Sequence, residues 1–326
     1  MNQTTKLRKI LSTTDVTPVL EVCDALSAMI AARAGYNAVY VSRTSVANTL
    51  LARPNGDTVT LTELEFMVAR TARATPIPVL VDIGDGFGNA VNVAHTTQIL
   101  AQAGASGIIV DDAGKSGGIE SSGPKALSIE EMDGKVRAVI DNRPDSDFVV
   151  IARSGAFNGE GIGKTVERIK RYVSAGADGF VAANIHAKSE LEALIASVSA
   201  SIPLISVGGS GAPQPSELAR LGFRGALYAD VLLHCQAAGM LEFFMEFFEK
   251  GNAADLALLR KLENSPFEDW YQFTGFDGIR AMEERYLPSE EVVRRYESPD
   301  AAHYYQPSSS RSRPSGAVSD VTEKSR

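Results

Sequence analysis

Cysteine is almost missing from this chain. Cys23 and Cys235 stand far apart, too few and too distant for a disulfide framework or a thiolate metal cluster. Both read as small buried hydrophobes. No uninterrupted apolar run reaches the roughly 20 residues of a membrane span, and the polar start Met1-Asn2-Gln3-Thr4-Thr5 lacks a signal-peptide core; the expectation is a cytoplasmic protein with no membrane partner. Positive charge is the minority, 32 basic against 40 acidic residues for a formal −8, with no basic block longer than a pair. That excludes the basic groove of a nucleic-acid binder and points to small molecules as partners. A glycine fingerprint after the first apolar strand is lacking too, which removes the main signature of an open dinucleotide-binding sheet.

What is present is length and a rhythm. At 326 residues and 44 % apolar, the chain suits one α/β barrel of roughly 250 residues with extensions. Short β-branched runs at 18–22, 38–42, 78–82, 107–111, 148–152, 179–183, 203–207 and 225–229 alternate with helix-length segments, the pattern of parallel strands with crossover helices. Thr62 before one apolar helix, Ser128 three residues ahead of Glu131, and Gly35, Gly104, Gly176 and Gly222 supply the starts and stops. The unit Ala-Gly-Tyr-Asn-Ala-Val-Tyr-Val (34–41) recurs at 103–110 and 175–182, and repeated βα units favour closure. The expected fold class is therefore α/β, a (β/α)8 barrel over 1–250, a C-terminal helical extension over 251–300 and a disordered tail over 301–326.

A helix from Leu232 to Phe248 carries Phe243, Phe244, Phe247 and Phe248, more aromatic circumference than one core-facing stripe needs. It packs either on a second subunit or inside its own monomer. A further helix is expected from Phe276 to Tyr286, ending before Pro288, with Trp270 and Phe273 as anchors.

Two strands end on carboxylates. Val79-Leu80-Val81-Asp82 opens into Ile83-Gly84-Asp85-Gly86-Phe87-Gly88-Asn89, and Ile108-Ile109-Val110-Asp111 into Asp112-Ala113-Gly114-Lys115. A barrel gathers the C-terminal ends of its strands at one mouth, so Asp82, Asp85 and Asp111 form a candidate Mg²⁺ site, whose Lewis acidity polarises a carbonyl oxygen. The competing use of Asp111 or Asp112 is to accept loop N–H groups. Arg153 either holds a substrate carboxylate bidentately or makes a structural ion pair. His186 follows another strand end, as a proton-transfer group or a solvated helix start. Lys115 and Ser116 sit among glycines in a lid or a plain loop. Glycines 84, 86 and 88 permit a tight turn rather than cradle a nucleotide, with Asn89 as a helix cap.

Cys23-Asp24-Ala25-Leu26-Ser27-Ala28, Tyr40-Val41-Ser42, Asp82-x-x-Asp85-Gly86-Phe87-Gly88-Asn89, Val110-Asp111-Asp112, Ile151-Ala152-Arg153 and Glu284-Arg285-Tyr286-Leu287-Pro288 together resemble the isocitrate lyase and phosphoenolpyruvate mutase superfamily, over about residues 6–297. The resemblance implies a barrel assembled as a homo-oligomer, a tetramer or dimer with an exchanged eighth helix. It implies Mg²⁺ and a small anionic substrate, a 2-oxo acid or phosphonate-like anion, whose C–C or P–C bond beside the carbonyl is made or broken through a metal-held enolate. Asp82, Asp85 and Asp111 would serve the metal, Ser42, Arg43, Asn55 and Arg153 the substrate, and Lys115, Ser116 and His186 proton transfer.

The chain departs from that family's pattern in several places. The usual Asp-Ala-Asp-Thr-Gly-Tyr-Gly-Asn becomes Asp82-Ile83-Gly84-Asp85-Gly86-Phe87-Gly88-Asn89, and Glu-Asp becomes Asp111-Asp112. Ser116 stands for the lyase cysteine, and a serine of ordinary acidity does not replace a low-pKa thiol in proton transfer. Ala113 stands for the mutase lysine, Asn55 for an aspartate and Arg43 for a glycine. The guanidinium of Arg43 either blocks the pocket or binds a second anionic group. A lyase or a phosphomutase-like isomerase is the expectation. Phosphoenolpyruvate phosphonomutase or phosphonopyruvate hydrolase is the alternative among enzymes, and a barrel that has lost catalysis and binds a ligand is the alternative outside them.

Overall fold

The computed structural model describes residues 2–54, 56–114, 126–185, 187–198, 202–208 and 212–287. Eight parallel strands close in chain order into a barrel: β1 (Thr17–Glu21), β2 (Val39–Ser42), β3 (Val79–Asp82), β4 (Gly107–Asp111), β5 (Val149–Ser154), β6 (Gly179–Ala182), β7 (Leu204–Gly208) and β8 (Gly225–Tyr228). Each lies within two residues of its expected run. The helices are α1 (Gln3–Leu11), α2 (Ala25–Arg33), α3 (Arg43–Leu50), α4 (Leu61–Ala74), α5 (Ala90–Ala103), α6 (Ile129–Asn142), α7 (Phe157–Ser174), α8 (Lys188–Ser197), α9 (Pro215–Leu221), α10 (Val231–Lys250), α11 (Asn252–Leu262), α12 (Trp270–Phe273) and α13 (Phe276–Tyr286).

Strand periodicity splits the core in two. Val19, Tyr40, Leu80, Ile109, Ile151, Val181, Ile205 and Leu227 point inward and pack together with Leu7 and Leu11 of α1. The residues beside them in sequence, such as Val39, Val41, Val79, Val81, Ile108 and Val110, pack outward against the helices. Because side chains alternate faces, the residue two beyond each inward one shares its face. Val19, Tyr40, Leu80, Ile109 and Ile151 thus lead to Glu21, Ser42, Asp82, Asp111 and Arg153. Register then sets Ser42 beside Asp82 and Asp111 beside Arg153 on neighbouring strands.

The opposite end is closed by α1. Leu7 is fully buried, and Arg8 donates from both terminal nitrogens to the Asp178 carboxylate at 2.9 Å. Gly107 is needed there: a Cβ would lie 2.6 Å from the Val149 carbonyl oxygen and 3.1 Å from Leu7. Helix starts follow side-chain capping. Ser42, Ser128 and Asn89 accept N–H groups of the first turns of α3, α6 and α5. The cap of α4 is Thr60, in a capping box with Glu63, not Thr62, although Thr62 has Glu65 at the same spacing.

The chain divides into two compact units, Met1–Ala238 and Gly239–Arg326. The division falls inside α10, where the expectation carried the barrel through residue 250. No residue of α10 is buried; Phe244 is 63 % and Phe248 93 % exposed. Cys23 is buried as expected, but Cys235, on α10, is exposed. The same helix is long and apolar enough, at mean hydropathy 1.3, to cross a membrane by length and composition, although its sequence is interrupted by polar residues. Helix α13 matches its expected span, and α11 lies within the expected helical extension without having been singled out.

Candidate active site

The inward carboxylates meet at the C-terminal mouth of the barrel, around a cavity of about 310 Å³. Arg153 is its centre. Its Nε donates to Asp111 Oδ2 at 2.6 Å and its Nη1 to Asp82 Oδ2, so one guanidinium spans the ends of β3 and β4 from β5. Each acid uses its other oxygen on its own loop: Asp82 Oδ1 accepts from Gly84 N and Asp111 Oδ1 from Ala113 N, both at 2.9 Å. Loop capping thus takes one oxygen of each acid and the ion pair with Arg153 takes the other. Burial by itself would lower the Arg153 pKa, but the Asp111 and Asp82 charges overcome it and raise the pKa.

Parity separates Asp111 from Asp112. The latter points away from the mouth, fully buried, and its Oδ2 accepts from Arg168 Nη1 at 3.1 Å and Tyr172 Oη at 2.9 Å. Burial, then the adjacent Asp111, pushes its carboxyl up to about 6.

Arg43 makes a second clasp at the same mouth. Its Nη1 donates to Asp85 Oδ1 at 2.5 Å and to the Ile83 carbonyl at 3.2 Å, its Nε to the Gly56 carbonyl at 3.2 Å, and its Nη2 to Asp57 Oδ1. Gly84 leaves the room: a Cβ there would sit 3.0 Å from Arg43 Nη1, at a φ of +56° that disfavours any side chain. The expected trio of metal acids is therefore divided, Asp82 and Asp111 meeting at Arg153 while Asp85 turns to Arg43. Among the described residues no three His, Cys, Asp or Glu side chains are grouped to hold a metal ion.

Ser42 is at the mouth, with its hydroxyl accepting from Ser45 N at 2.9 Å. Asn55, Lys115, Ser116 and His186 lie outside the described residues. Glu21 and Asp230 escape the sequence reading, although Glu21 obeys the rule that found Asp82: it is the carboxylate that ends an inward-facing strand. It is buried, and burial raises its pKa, opposed by the Asp230 N–H that it accepts at 2.8 Å.

Charge tests whether a cation fits. Six carboxylates, from Glu21, Asp57, Asp82, Asp85, Asp111 and Asp230, line the cavity against two guanidiniums, from Arg43 and Arg153. A pocket so acidic repels an anionic ligand unless a cation enters with it, and oxygen donors of this kind are what Mg²⁺ takes. The charge balance of the mouth suits a divalent ion; Asp82 and Asp111 would hold it in exchange for their present contacts with Arg153.

A model of the phosphoenolpyruvate phosphomutase family matches residues 7–248 of this barrel. The chain belongs to that family. Its wider kinship is the isocitrate lyase and phosphoenolpyruvate mutase superfamily, whose members include lyases. The chain is 33 % identical to an oxaloacetate decarboxylase of Bradyrhizobium sp. (strain ORS 278) over 217 residues, 67 % of this chain and 73 % of the relative. It is 28 % identical to the 2,3-dimethylmalate lyase of Eubacterium barkeri, covering 88 % of this chain and 99 % of that one. Among solved structures, a phosphonopyruvate hydrolase complexed with oxalate and Mg²⁺ superposes with a TM-score of 0.78 at 26 % identity, over 88 % of this chain and all of the other. This phosphomutase-family barrel is thus an enzyme scaffold of a kind that acts on oxo acids.

Proposed function

We propose that the chain is a Mg²⁺-dependent cytoplasmic lyase that breaks the C–C bond at the carbon next to the carbonyl of a small 2-oxo acid, with decarboxylation of a four-carbon 3-carboxy-2-oxo acid such as oxaloacetate, at its C3–C4 bond, as its reaction. The observation that carries this reading is Arg153 held between Asp82 and Asp111 in an acidic mouth. Similarity to oxaloacetate decarboxylases supports the choice of bond.

Asp82 and Asp111 would hold a divalent ion, which when bound would supply Lewis acidity toward the substrate carbonyl. Arg153 orients the 2-oxo acid head group and neutralises charge that grows on it, a positioning and electrostatic task that needs no movement at the moment of reaction. The C–C electron pair flows toward the carbonyl as CO₂ departs, and the resulting enolate takes a proton at carbon. CO₂ leaves without a proton, so Ser116 in place of a thiol is no obstacle to cleavage. Lys115, Ser116 and His186 stay the candidates for delivering the later proton. Decarboxylation thus asks less of the substituted residues than isocitrate-type cleavage does.

The exposed apolar stripe of α10, Met240, Leu241, Phe244, Met245 and Phe248, recurs at helical spacing, and we assign it to contact with a second copy of the chain. Glu242 and Glu246 on the same helix make lipid a poor cover, at roughly 3 kcal/mol per buried charge.

The reading is tested by following pyruvate formation from oxaloacetate with Mg²⁺, above the rate of Mg²⁺ alone. Wild type is expected to turn over, and Arg153→Lys to lose about a hundredfold in kcat/KM, since a point charge cannot span two carboxylates. No rate above the metal-only control would refute it.

A further inference from the structure

The pair formed by Asp111 and Arg153 is braced from behind the mouth. Asp112 follows Asp111 on the opposite face, and its backbone ties the two strand ends together: its N–H donates to the Arg153 carbonyl at 3.1 Å and its carbonyl accepts from Leu127 N at 2.7 Å. The peptide unit joining Asp112 to Asp111 is planar, so whatever fixes Asp112 limits how far the Asp111 side chain can swing. What fixes it is Arg168 of α7, itself buried. Its Nη1 lies 3.1 Å from Asp112 Oδ2 and 2.9 Å from both the Leu127 carbonyl and Tyr172 Oη, and the Tyr172 hydroxyl donates to the same Asp112 oxygen at 2.9 Å. The Ser154 hydroxyl faces that carboxylate too. These contacts close a ring, because Arg168 holds the Leu127 carbonyl and the Asp112 carboxylate while the Leu127 N–H holds the Asp112 carbonyl. The arginine is aimed in its turn. Its Nε and Nη2 donate to the two oxygens of Glu160 at 2.8 and 2.7 Å, a bidentate pair that spans the break in α7 at Gly161, where a φ of +74° leaves the helix. Tyr172 is fully buried and stacks on Phe180 of β6 at 6.4 Å between ring centroids. Arg168, Tyr172 and Glu160 are not among the described residues that line the cavity.

We infer that Arg168 is a positioning residue for the mouth, which through Asp112 holds Asp111 and Arg153 in their working alignment. This rests on the reading that Asp111 and Arg153 take the cation and the 2-oxo acid head group. A displacement of about 1 Å at a reacting site costs on the order of a hundredfold in rate, so a brace that aims two side chains matters there well before the fold is lost. Lysine cannot stand in for this arginine: a single ammonium group does not reach Asp112, Leu127 and Glu160 together.

The test takes two readouts on Arg168→Lys and Tyr172→Phe. One needs no ligand: hydrogen exchange of the Arg153 Nε–H, which donates to Asp111 at 2.6 Å, followed by NMR of nitrogen-15-labelled arginine and identified by its loss in Arg153→Lys. The other is the calorimetric affinity for oxalate in the presence of Mg²⁺. Leu194→Ala, which empties a fully buried position on α8, is the control for loss of stability alone. Both brace variants are expected to exchange this proton at least tenfold faster and to bind oxalate at least tenfold more weakly, whereas the control melts lower with both readouts within threefold of wild type. Tyr172→Phe removes one hydroxyl only, so it decides the matter even if Arg168→Lys does not fold. Unchanged exchange in the folded variants overturns the inference. So does faster exchange with unchanged oxalate affinity, or an equal loss in Leu194→Ala, which would show that stability and not aim is being sensed. A wild type that does not bind oxalate would instead sink the head-group reading, and the exchange rates would still decide whether Arg168 holds the pair.

Discussion

At the scale of single residues, the chemistry turns on which face of a strand a carboxylate occupies. Asp111 and Asp112 are identical side chains one bond apart along the chain, yet one lines the mouth and the other is sealed against Arg168 and Tyr172. Alternation decided this, and it could have been read in advance from Ile109, the inward residue two positions before Asp111. The pairing of Asp85 with Arg43 could not, because it joins loops whose path no local pattern specifies. Asp112 has a consequence for stability. Its folded pKa, near 6, lies above the ordinary aspartate value, so the folded chain holds this proton more tightly than the unfolded one. Its contribution is complete below about pH 4 and is lost as pH rises through about 6, on the order of 3 kcal/mol in all. Asp112→Asn, neutral at every pH, is expected to remove that share of the slope when urea-denaturation free energies are compared between pH 4 and 7. An identical slope in variant and wild type would show that Asp112 is not protonated where its burial says it should be.

At the scale of elements, strands were the most legible and helix ends less so. Every strand fell within two residues of its expected run because inward and outward faces are both apolar, giving continuous β-branched runs. Asn89, Ser128, Gly104 and Gly222 mark helix ends as expected, while α4 starts at Thr60, boxed with Glu63, and not at Thr62, which has Glu65 at the same spacing. Helix α10 was legible as an element and as an unusual one, but not as a helix without a buried residue. If a second copy covers its apolar stripe, Phe244→Glu with Phe248→Glu should shift sedimentation from an oligomer to the 34.7 kDa monomer without changing the helical circular dichroism of the barrel. A wild-type chain that already sediments as a monomer at micromolar concentration would refute the assignment.

At the scale of the whole molecule, closure of eight strands is what brings Asp82, Asp111 and Arg153 within hydrogen-bonding reach although the sequence spreads them over more than seventy residues. The repeated helix-stop-strand unit made that closure readable. What the sequence could not convey is that the mouth holds six acids and two arginines at once, since Asp57 and Asp230 join it from segments with no motif of their own; Glu21 alone of the three was open to the strand-end rule. The central claim is that this acidic mouth takes a divalent cation together with a small dicarboxylate-like anion. It is tested most directly by calorimetry of oxalate binding with and without Mg²⁺, on wild type and Asp111→Ala. Oxalate is expected to bind wild type only when Mg²⁺ is present, and to lose at least tenfold in affinity in the variant. Oxalate binding that is indifferent to Mg²⁺, or that survives Asp111→Ala unchanged, would contradict the account.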